Sequence, residues 1–340
     1  MIDSLLATGV VPDFLIKKGI QSLLKKRLKD EYGPSFETLE QRRERLIGEL
    51  KSSPVAIKTD LANDQHYMVP PKFFEKCLGK HLKYSCGHWD KATNLDEAEK
   101  EMLELTIERA QIEDGHRILE LGHGWGAITL FMAEKFPNSE ILAVSNSSQQ
   151  REFILERARE RGLKNIKIQT CDMNDLELDQ KFDRVISIEM FEHMRNYQNL
   201  LERISGWMSP EGKLFVHIFV HKELSYKFDV VDETDWMSQY FFSGGIMPSD
   251  HLLYYFQKDL KVVQHHRVKG THYAKTAKAW REKMDQNKAE IMRIFEEHYP
   301  SGESAKWFSY WRIFYMSCEE LWQFDEGREW FVSHYLFEKA

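Results

Sequence analysis

The apolar segment Arg117–Leu121 runs into Glu120-Leu121-Gly122-His123-Gly124-Trp125-Gly126 and then into a helical stretch, Ala127–Phe136. This strand–glycine loop–helix unit constrains the fold more than any other feature. Glycines let the backbone turn sharply and approach a ligand without a Cβ in the way. The helix that follows presents free N–H groups to that ligand. Strand and helix patterns then alternate. Strands are expected at Glu140–Val144, Ile166–Thr170, Phe182–Ile188 and Gly212–Val220, and helices at Gln149–Arg161 and Tyr197–Met208. Such alternation predicts an α/β fold with a parallel, doubly wound sheet, and the short linkers suit it.

Beyond the fifth strand the rhythm breaks. Residues 222–260 are rich in aromatics and Asp, with Gly244-Gly245, and read as a lid insertion. A strand at 261–268, long helices at 274–298 and 303–321, and a closing strand Glu329–Phe337 complete a seven-stranded, mostly parallel sheet. Upstream, residues 1–75 read as a helical extension that includes Phe14–Leu28 and Phe36–Leu50. Pro70-Pro71 marks its boundary, since neither proline donates a backbone hydrogen bond. A short helix Lys72–Cys77 and a strong one Leu95–Ala110 follow. The expected organisation is therefore an extension (1–75), a Rossmann-like core (76–221), and a lid with substrate-covering helices and closing strands (222–340).

Composition narrows the classes. The net charge of -7 argues against a nucleic-acid protein, which usually carries a basic face. The cysteines, Cys77, Cys86, Cys171 and Cys318, have no CxxC spacing, so neither a metal site nor a disulfide framework is signalled. A reduced, cytoplasmic setting is expected, with no secretory signal and no run of the roughly 20 apolar residues a transmembrane helix needs. Phe14–Leu28 sets Phe14, Leu15, Ile20, Leu23, Leu24 and Leu28 against Lys17, Lys18, Lys25, Lys26, Arg27 and Lys29. Docking of its apolar side on the protein is favoured over contact with an anionic membrane.

The loop also selects a cofactor class. A dinucleotide fold wants G-x-G-x-x-G and an acid about 20 residues on. Here the third glycine comes one residue early, and the second strand ends in Val144-Ser145-Asn146-Ser147, without an acid. The pattern E-x-G-x-G-x-G is the signature of class I methyltransferases, so S-adenosylmethionine is the expected cofactor. Asp172-Met173, after the third strand, is a natural place for adenine contacts.

The fourth strand runs into Ile188-Glu189-Met190-Phe191-Glu192-His193-Met194. Strand carboxyl ends line the ligand crevice of a doubly wound sheet. If a helix begins here, Glu189, Glu192 and His193 share one face. An amine must lose its proton before its lone pair can attack a methyl group, and His or Glu can accept it. Crowding of two carboxylates should raise one pKa. The competing reading is a helix N-terminus capped by acids.

Together, Tyr84-Ser85-Cys86, the glycine loop, Ser145-Asn146-Ser147 with Gln150, IEMFEHM and His217 resemble the cyclopropane-fatty-acyl-phospholipid synthase superfamily. The runs ISIEMFEHMRNYQNLLERISGWM, ERAQIEDG and YFFSGG resemble its coclaurine N-methyltransferase branch. The likeness covers roughly residues 60–340. It implies that Tyr84, Ser85, Glu120, Gly122, Gly124, Gly126, Ser145, Asn146, Gln150, Asp172 and Met173 bind S-adenosylmethionine. It implies that Glu189, Glu192 and His193, with His217, bind and deprotonate an amine. Cys86, Glu192, His217 and Tyr273 fall where cyclopropane synthases hold a bicarbonate that accepts the proton, so the motifs are hybrid. His123 departs from the family's usual cysteine in the loop, and a space-filling role is favoured for it.

Two activities follow from the resemblance. One is N-methylation of a small, partly aromatic amine, with Trp236, Tyr240, Phe241, Trp307, Tyr310 and Trp311 as rings available to pack on it. The other is C-methylation or cyclopropanation of unsaturated phospholipid acyl chains with bound bicarbonate, the one case that calls for membrane contact. The amine is favoured, and a homodimer is compatible with either.

Overall fold

The computed structural model describes residues 2–57, 69–230 and 235–340. The parts of the expected extension at 58–68 and of the lid at 231–234 lie outside the described residues. Helices α1 (Ile2–Ala7), α2 (Asp13–Tyr32), α3 (Phe36–Ser52), α4 (Pro71–Cys77) and α5 (Leu95–Arg109) lead to strand β1 (Arg117–Leu121). The alternating core continues with α6 (Ala127–Lys135), β2 (Glu140–Ser145), α7 (Ser148–Glu160), β3 (Ile166–Thr170), β4 (Phe182–Ile188), α8 (Tyr197–Trp207) and β5 (Met208–His221). The chain ends with β6 (Tyr226–Lys227), α9 (Trp236–Tyr240), β7 (Ile246–Met247), β8 (Leu260–Val268), α10 (Gly270–Gln286), α11 (Lys288–His298), α12 (Ser304–Gln323) and β9 (Trp330–Lys339).

Seven strands form one sheet in the order β3-β2-β1-β4-β5-β9-β8. β1 to β5 pair in parallel, and β9 runs antiparallel to both β5 and β8. The central strands read as unbroken apolar runs because helices cover both faces of a parallel sheet. β1 lies between β2 and β4, so the chain's direction of travel reverses there. The crevice at this switch point, at the carboxyl ends of the strands, is where a doubly wound sheet binds ligands.

Three local expectations are corrected. The segment 274–298 is two helices, because the Asn287 side chain donates to Lys283 O at 2.9 Å and to Lys76 O at 3.0 Å, ending α10 and pinning it to α4. β5 begins at Met208 rather than Gly212, and a register shift against β4 between Phe182 and Arg184 absorbs the irregularity. The segment expected as a lid also carries a small two-stranded sheet of β6 and β7.

α2 docks on α12. Lys17 Nζ donates to Glu319 at 2.6 Å, Gln21 to Glu320 at 2.6 Å, and Leu24 and Leu28 pack on the aromatic cluster. Phe14, Leu15 and Leu23, read as part of the same apolar side, remain exposed. The aromatics proposed as substrate contacts mostly form core. Phe241 and Trp311 are buried with ring centroids 5.1 Å apart, and Tyr310 packs between Trp236 and Tyr240. Phe73 and Phe74 of α4 join this layer against Trp311, fully buried, each stabilising by roughly 1.5–3 kcal/mol. Among the described residues, no helix is long and apolar enough to cross a membrane.

Candidate active site

Gly122, Gly124 and Gly126 all have positive φ (85°, 49° and 81°), but they serve different ends. A Cβ on Gly122 would stand 2.9 Å from the Met190 side chain, so this glycine lets the loop pass the turn after β4. A Cβ on Gly126 would stand 2.7 Å from Ile154, so that glycine seats α6 on α7. Gly124 faces open space.

That space belongs to a cleft of about 1180 Å³, mouth included, at the switch point. Its wall includes Tyr84, Ser85, Glu120, Gly122, Gly124, Ser145, Asn146, Gln150, Asp172 and Met173. Gly126, expected among them, is not on the wall; it acts through helix packing. Ala56 and Ile57, from the segment after α3, close one side, and Ser243 and Gly244 of the lid approach from another.

Several wall groups are unpaired in a way that suits a polar ligand. Gln150 is fully buried, and neither its amide oxygen nor its nitrogen has a hydrogen-bond partner among the described residues; Trp125 Nε1 is in the same position. Buried polar atoms without partners are costly, so a ligand that completes them is the economical explanation. Burial pushes Glu120 up to about 8, opposed by the Thr129 hydroxyl donating at 2.5 Å. His123 is held down to about 4 by burial and stands in the wall as a neutral ring, its Nδ1 3.1 Å from Gly124 O.

The residues expected as an acid–base group sit at the next strand end. Glu189, Glu192 and His193 do come together, but not as one helix face. Glu189 has φ 47°, and only Phe191–His193 forms a short 3₁₀ turn. A non-glycine residue in this backbone region is uncommon and costs of order 1–3 kcal/mol, which is why such residues cluster at functional sites. The turn aims Glu189 back across the sheet.

There Glu189 is saturated with donors. Its Oε1 accepts from the Cys86 backbone N–H at 3.0 Å and lies 3.1 Å from His217 Nε2; its Oε2 accepts from Tyr273 OH at 2.5 Å. Burial raises its pKa, while the nearby Lys83 charge and the Tyr273 hydroxyl act to lower it. Lys83, which no sequence signal marks, is only 1% exposed; its Nζ donates to Ser85 Oγ at 2.5 Å and to Cys86 O at 2.8 Å.

Glu192 is the counterpart. It is fully buried, its Oε1 accepts from Phe219 N–H at 3.3 Å, and its Oε2 has no partner among the described residues. Burial, and then repulsion from Glu189, push its pKa far up. The crowded carboxyl is thus the one with the free oxygen. His193 is half-buried on the cleft wall, stacked on Phe242 of the lid at 4.9 Å, and held to about 4 by burial and the Arg195 charge. Cys86, Glu192, His217 and Tyr273 lie behind the wall that Glu189 and His193 form.

Rings absent from the sequence expectation surround this turn. Phe242 leads to Phe219 at 5.6 Å, Phe219 to Trp322 at 5.6 Å, and Trp322 stacks on Tyr273 at 4.7 Å. Gly245 makes the arc possible, because a Cβ there would overlap the Phe242 ring at 2.1 Å.

Residues 56–325 match the family model for mycolic acid cyclopropane synthetase. The chain is 39% identical over 339 residues to (S)-coclaurine N-methyltransferase of Thalictrum flavum subsp. glaucum, covering 98% of this chain and 94% of that one. It is 36% identical to pavine N-methyltransferase of the same plant, covering 97% and 94%. The crystal structure of coclaurine N-methyltransferase bound to N-methylheliamine and S-adenosylhomocysteine superposes with a TM-score of 0.95 at 37% identity, covering 99% of both chains. A cyclopropane synthase from Mycobacterium tuberculosis shares the fold at TM-score 0.71 and 18% identity, over 84% of this chain and 99% of that one.

Proposed function

The chain belongs to the mycolic acid cyclopropane synthetase family and is an S-adenosylmethionine-dependent N-methyltransferase of the coclaurine type, and from that premise we propose that it methylates a small amine carried on an aromatic body, with Glu192 as proton acceptor. The observation that carries this reading is the unpaired, buried Oε2 of Glu192 beside a saturated Glu189 and the neutral ring of His193.

When bound, S-adenosylmethionine supplies an electrophilic methyl on a sulfonium. Gln150, Asp172 and Met173, with the backbone of Gly122 and Gly124, are the groups we assign to hold it. Glu189 provides a fixed negative charge that draws an ammonium ion into the site. Glu192 Oε2, unpaired just behind the wall that Glu189 and His193 form, is the acceptor we assign to the amine proton. Its raised pKa makes it a stronger proton acceptor than an ordinary carboxylate. His193 hydrogen-bonds the nitrogen and holds its lone pair in line with the methyl, where positioning supplies much of the rate. The amine nitrogen gains the methyl as the sulfonium loses it, so the positive charge moves to the product. Phe242, which stacks on the His193 ring of the cleft wall, is the ring we assign to an aromatic, cationic guest.

The lipid reading needs bicarbonate among Cys86, His217 and Tyr273. In this chain the Cys86 amide, His217 Nε2 and the Tyr273 hydroxyl are already engaged with the Glu189 carboxylate. Bicarbonate therefore does not fit the donor set. Cys86 contributes through its backbone amide, while burial raises its thiol pKa and Sγ is 3.2 Å from Gly87 O. Cys86→Ser is accordingly expected to retain amine methylation within a few-fold, and removal of bicarbonate from the buffer to change nothing. Activity that collapses in Cys86→Ser and depends on bicarbonate would favour the lipid reading instead.

A further inference from the structure

Behind Glu189, away from the cleft, lies a row of hydrogen-bonding groups that the reaction itself does not use. His217 on β5 and His334 on β9 are directly opposed in the antiparallel register. His334 Nε2 stands 2.9 Å from His217 Nδ1, and His334 Nδ1 stands 2.8 Å from Nη1 of Arg109, the last residue of α5. At the other end, His217 Nε2 stands 3.1 Å from Glu189 Oε1. His217 and His334 are fully buried, whereas Arg109 is only partly so.

Donor arithmetic gives this row one direction. A guanidinium has donors and no acceptor. His334 Nδ1 must therefore accept from Arg109, which leaves the His334 proton on Nε2. That proton is donated to His217 Nδ1, and the His217 proton, now on Nε2, is donated to Glu189. The reverse order would set an N–H of His334 against an N–H of Arg109. Nor does the row carry a proton away from the site, because its outer end cannot accept one. Burial holds both imidazoles well below their ordinary pKa, so they stay neutral and act as aligned dipoles.

We propose that Arg109, through His334 and His217, locks Glu189 as an anionic acceptor and thereby sets the pH range over which the site can capture an amine. Arg109 and His334 are positioning residues, since neither touches the cleft. The consequence for catalysis rests on the amine reading; the direction of the row does not. The charged and titratable groups around it are Lys83 and Cys86 from the loop before α5, Tyr273 from α10, Cys318 from α12, and Glu192 and His193 on Glu189's own turn. At the outer end they are Glu108 and His266.

The sign follows directly. Removing the cation, and with it the fixed tautomer of the row that donates to Glu189, disfavours the carboxylate, so the Glu189–Glu192 pair ionises at higher pH. Activity is lost as pH falls through that ionisation, and the acid limb of kcat/KM should therefore move upward. In Arg109→Met the expected shift is on the order of one pH unit, with the affinity for S-adenosylhomocysteine unchanged. His334→Leu should behave alike. His334→Gln should restore the limb, because its amide can accept from Arg109 and donate to His217.

Nitrogen-15 shifts of histidine-labelled full-length protein test the row without any substrate. Both His217 and His334, assigned by single substitutions, should be neutral and protonated at Nε2. Protonation at Nδ1 in either ring would overturn the proposal, whatever the enzyme methylates. So would folded Arg109→Met and His334→Leu variants whose rate falls equally at every pH, since that marks a merely structural role. Correct tautomers in an enzyme that methylates no amine would instead count against the amine reading alone.

Discussion

Replacing Glu192 by Gln is expected to lower kcat for amine methylation by about 10²–10⁴-fold, the range for removing a positioned general base. The substitution keeps the shape of the side chain and can keep the Oε1 contact with the Phe219 amide, so the fold should survive. What it removes is the one carboxylate oxygen in the cluster with no partner among the described residues. The pH profile should change with the rate. Burial and the Glu189 charge raise the pKa of Glu192, so wild-type activity should fall with decreasing pH through a limb above the ordinary glutamate range. In Glu192→Gln that limb should move to lower pH, because Glu189 is the one carboxyl of the pair left to titrate, relieved of its charged neighbour. Steady-state rates against pH for the two proteins are the check. A variant that keeps wild-type kcat and its acid limb would remove Glu192 from the proton-accepting role.

His193→Ala should cost about 10²-fold in kcat, the loss that accompanies a small misplacement of reacting atoms. His193 lies on the cleft wall, and burial with the Arg195 charge holds its pKa near 4. It is therefore neutral throughout the neutral range, and its ionisation cannot be the source of the acid limb. A ring that orients the amine can be replaced in part by another neutral hydrogen-bonding side chain. His193→Asn should recover a substantial part of the rate lost in His193→Ala, with the limb unmoved in both. An Asn variant as inactive as the Ala variant, with a limb that disappears, would transfer the base to His193.

The geometry behind these two proposed roles is only half visible in the sequence. The position of the cluster was legible, because an apolar run such as Phe182–Ile188 in an alternating chain has to be a central strand, and its carboxyl end has to face the crevice. The way the side chains converge was not. Local spacing suggested a helix from Glu189, but Glu189 takes a left-handed backbone conformation, which nothing about a glutamate announces. Tertiary contacts impose it, with three donors from distant parts of the chain. Cys86, Tyr273 and His217 appeared as candidates through family resemblance, yet only the folded arrangement reveals that they face a carboxylate of the protein itself.

Residues further along the chain had still weaker signals. His334 falls within the expected closing strand Glu329–Phe337, and Arg109 within the expected helix Leu95–Ala110, with nothing in the sequence to join them. Their meeting depends on the antiparallel seating of β9, which no local pattern encodes. Asn287 illustrates the same limit on a smaller scale. The apolar periodicity continues through it, and only its bonds to Lys76 and Lys283 make it a helix break. The glycine loop lies at the other extreme. Its spacing pointed to the crevice at the switch point, where the loop lies, and the structure separates Gly124, which faces the cleft, from Gly126, which packs helices.

The fate of a labelled methyl group separates amine from lipid methylation. Purified protein is incubated with S-adenosyl-L-[methyl-¹³C]methionine, a panel of secondary amines on aromatic ring systems, and vesicles of unsaturated phospholipid, with Glu192→Gln in parallel. The predicted result is ¹³C-methyl on the nitrogen of one or more amines, unlabelled acyl chains, and loss of the amine product in the variant. Label in the acyl chains with none on any amine would make the protein a lipid-modifying enzyme instead.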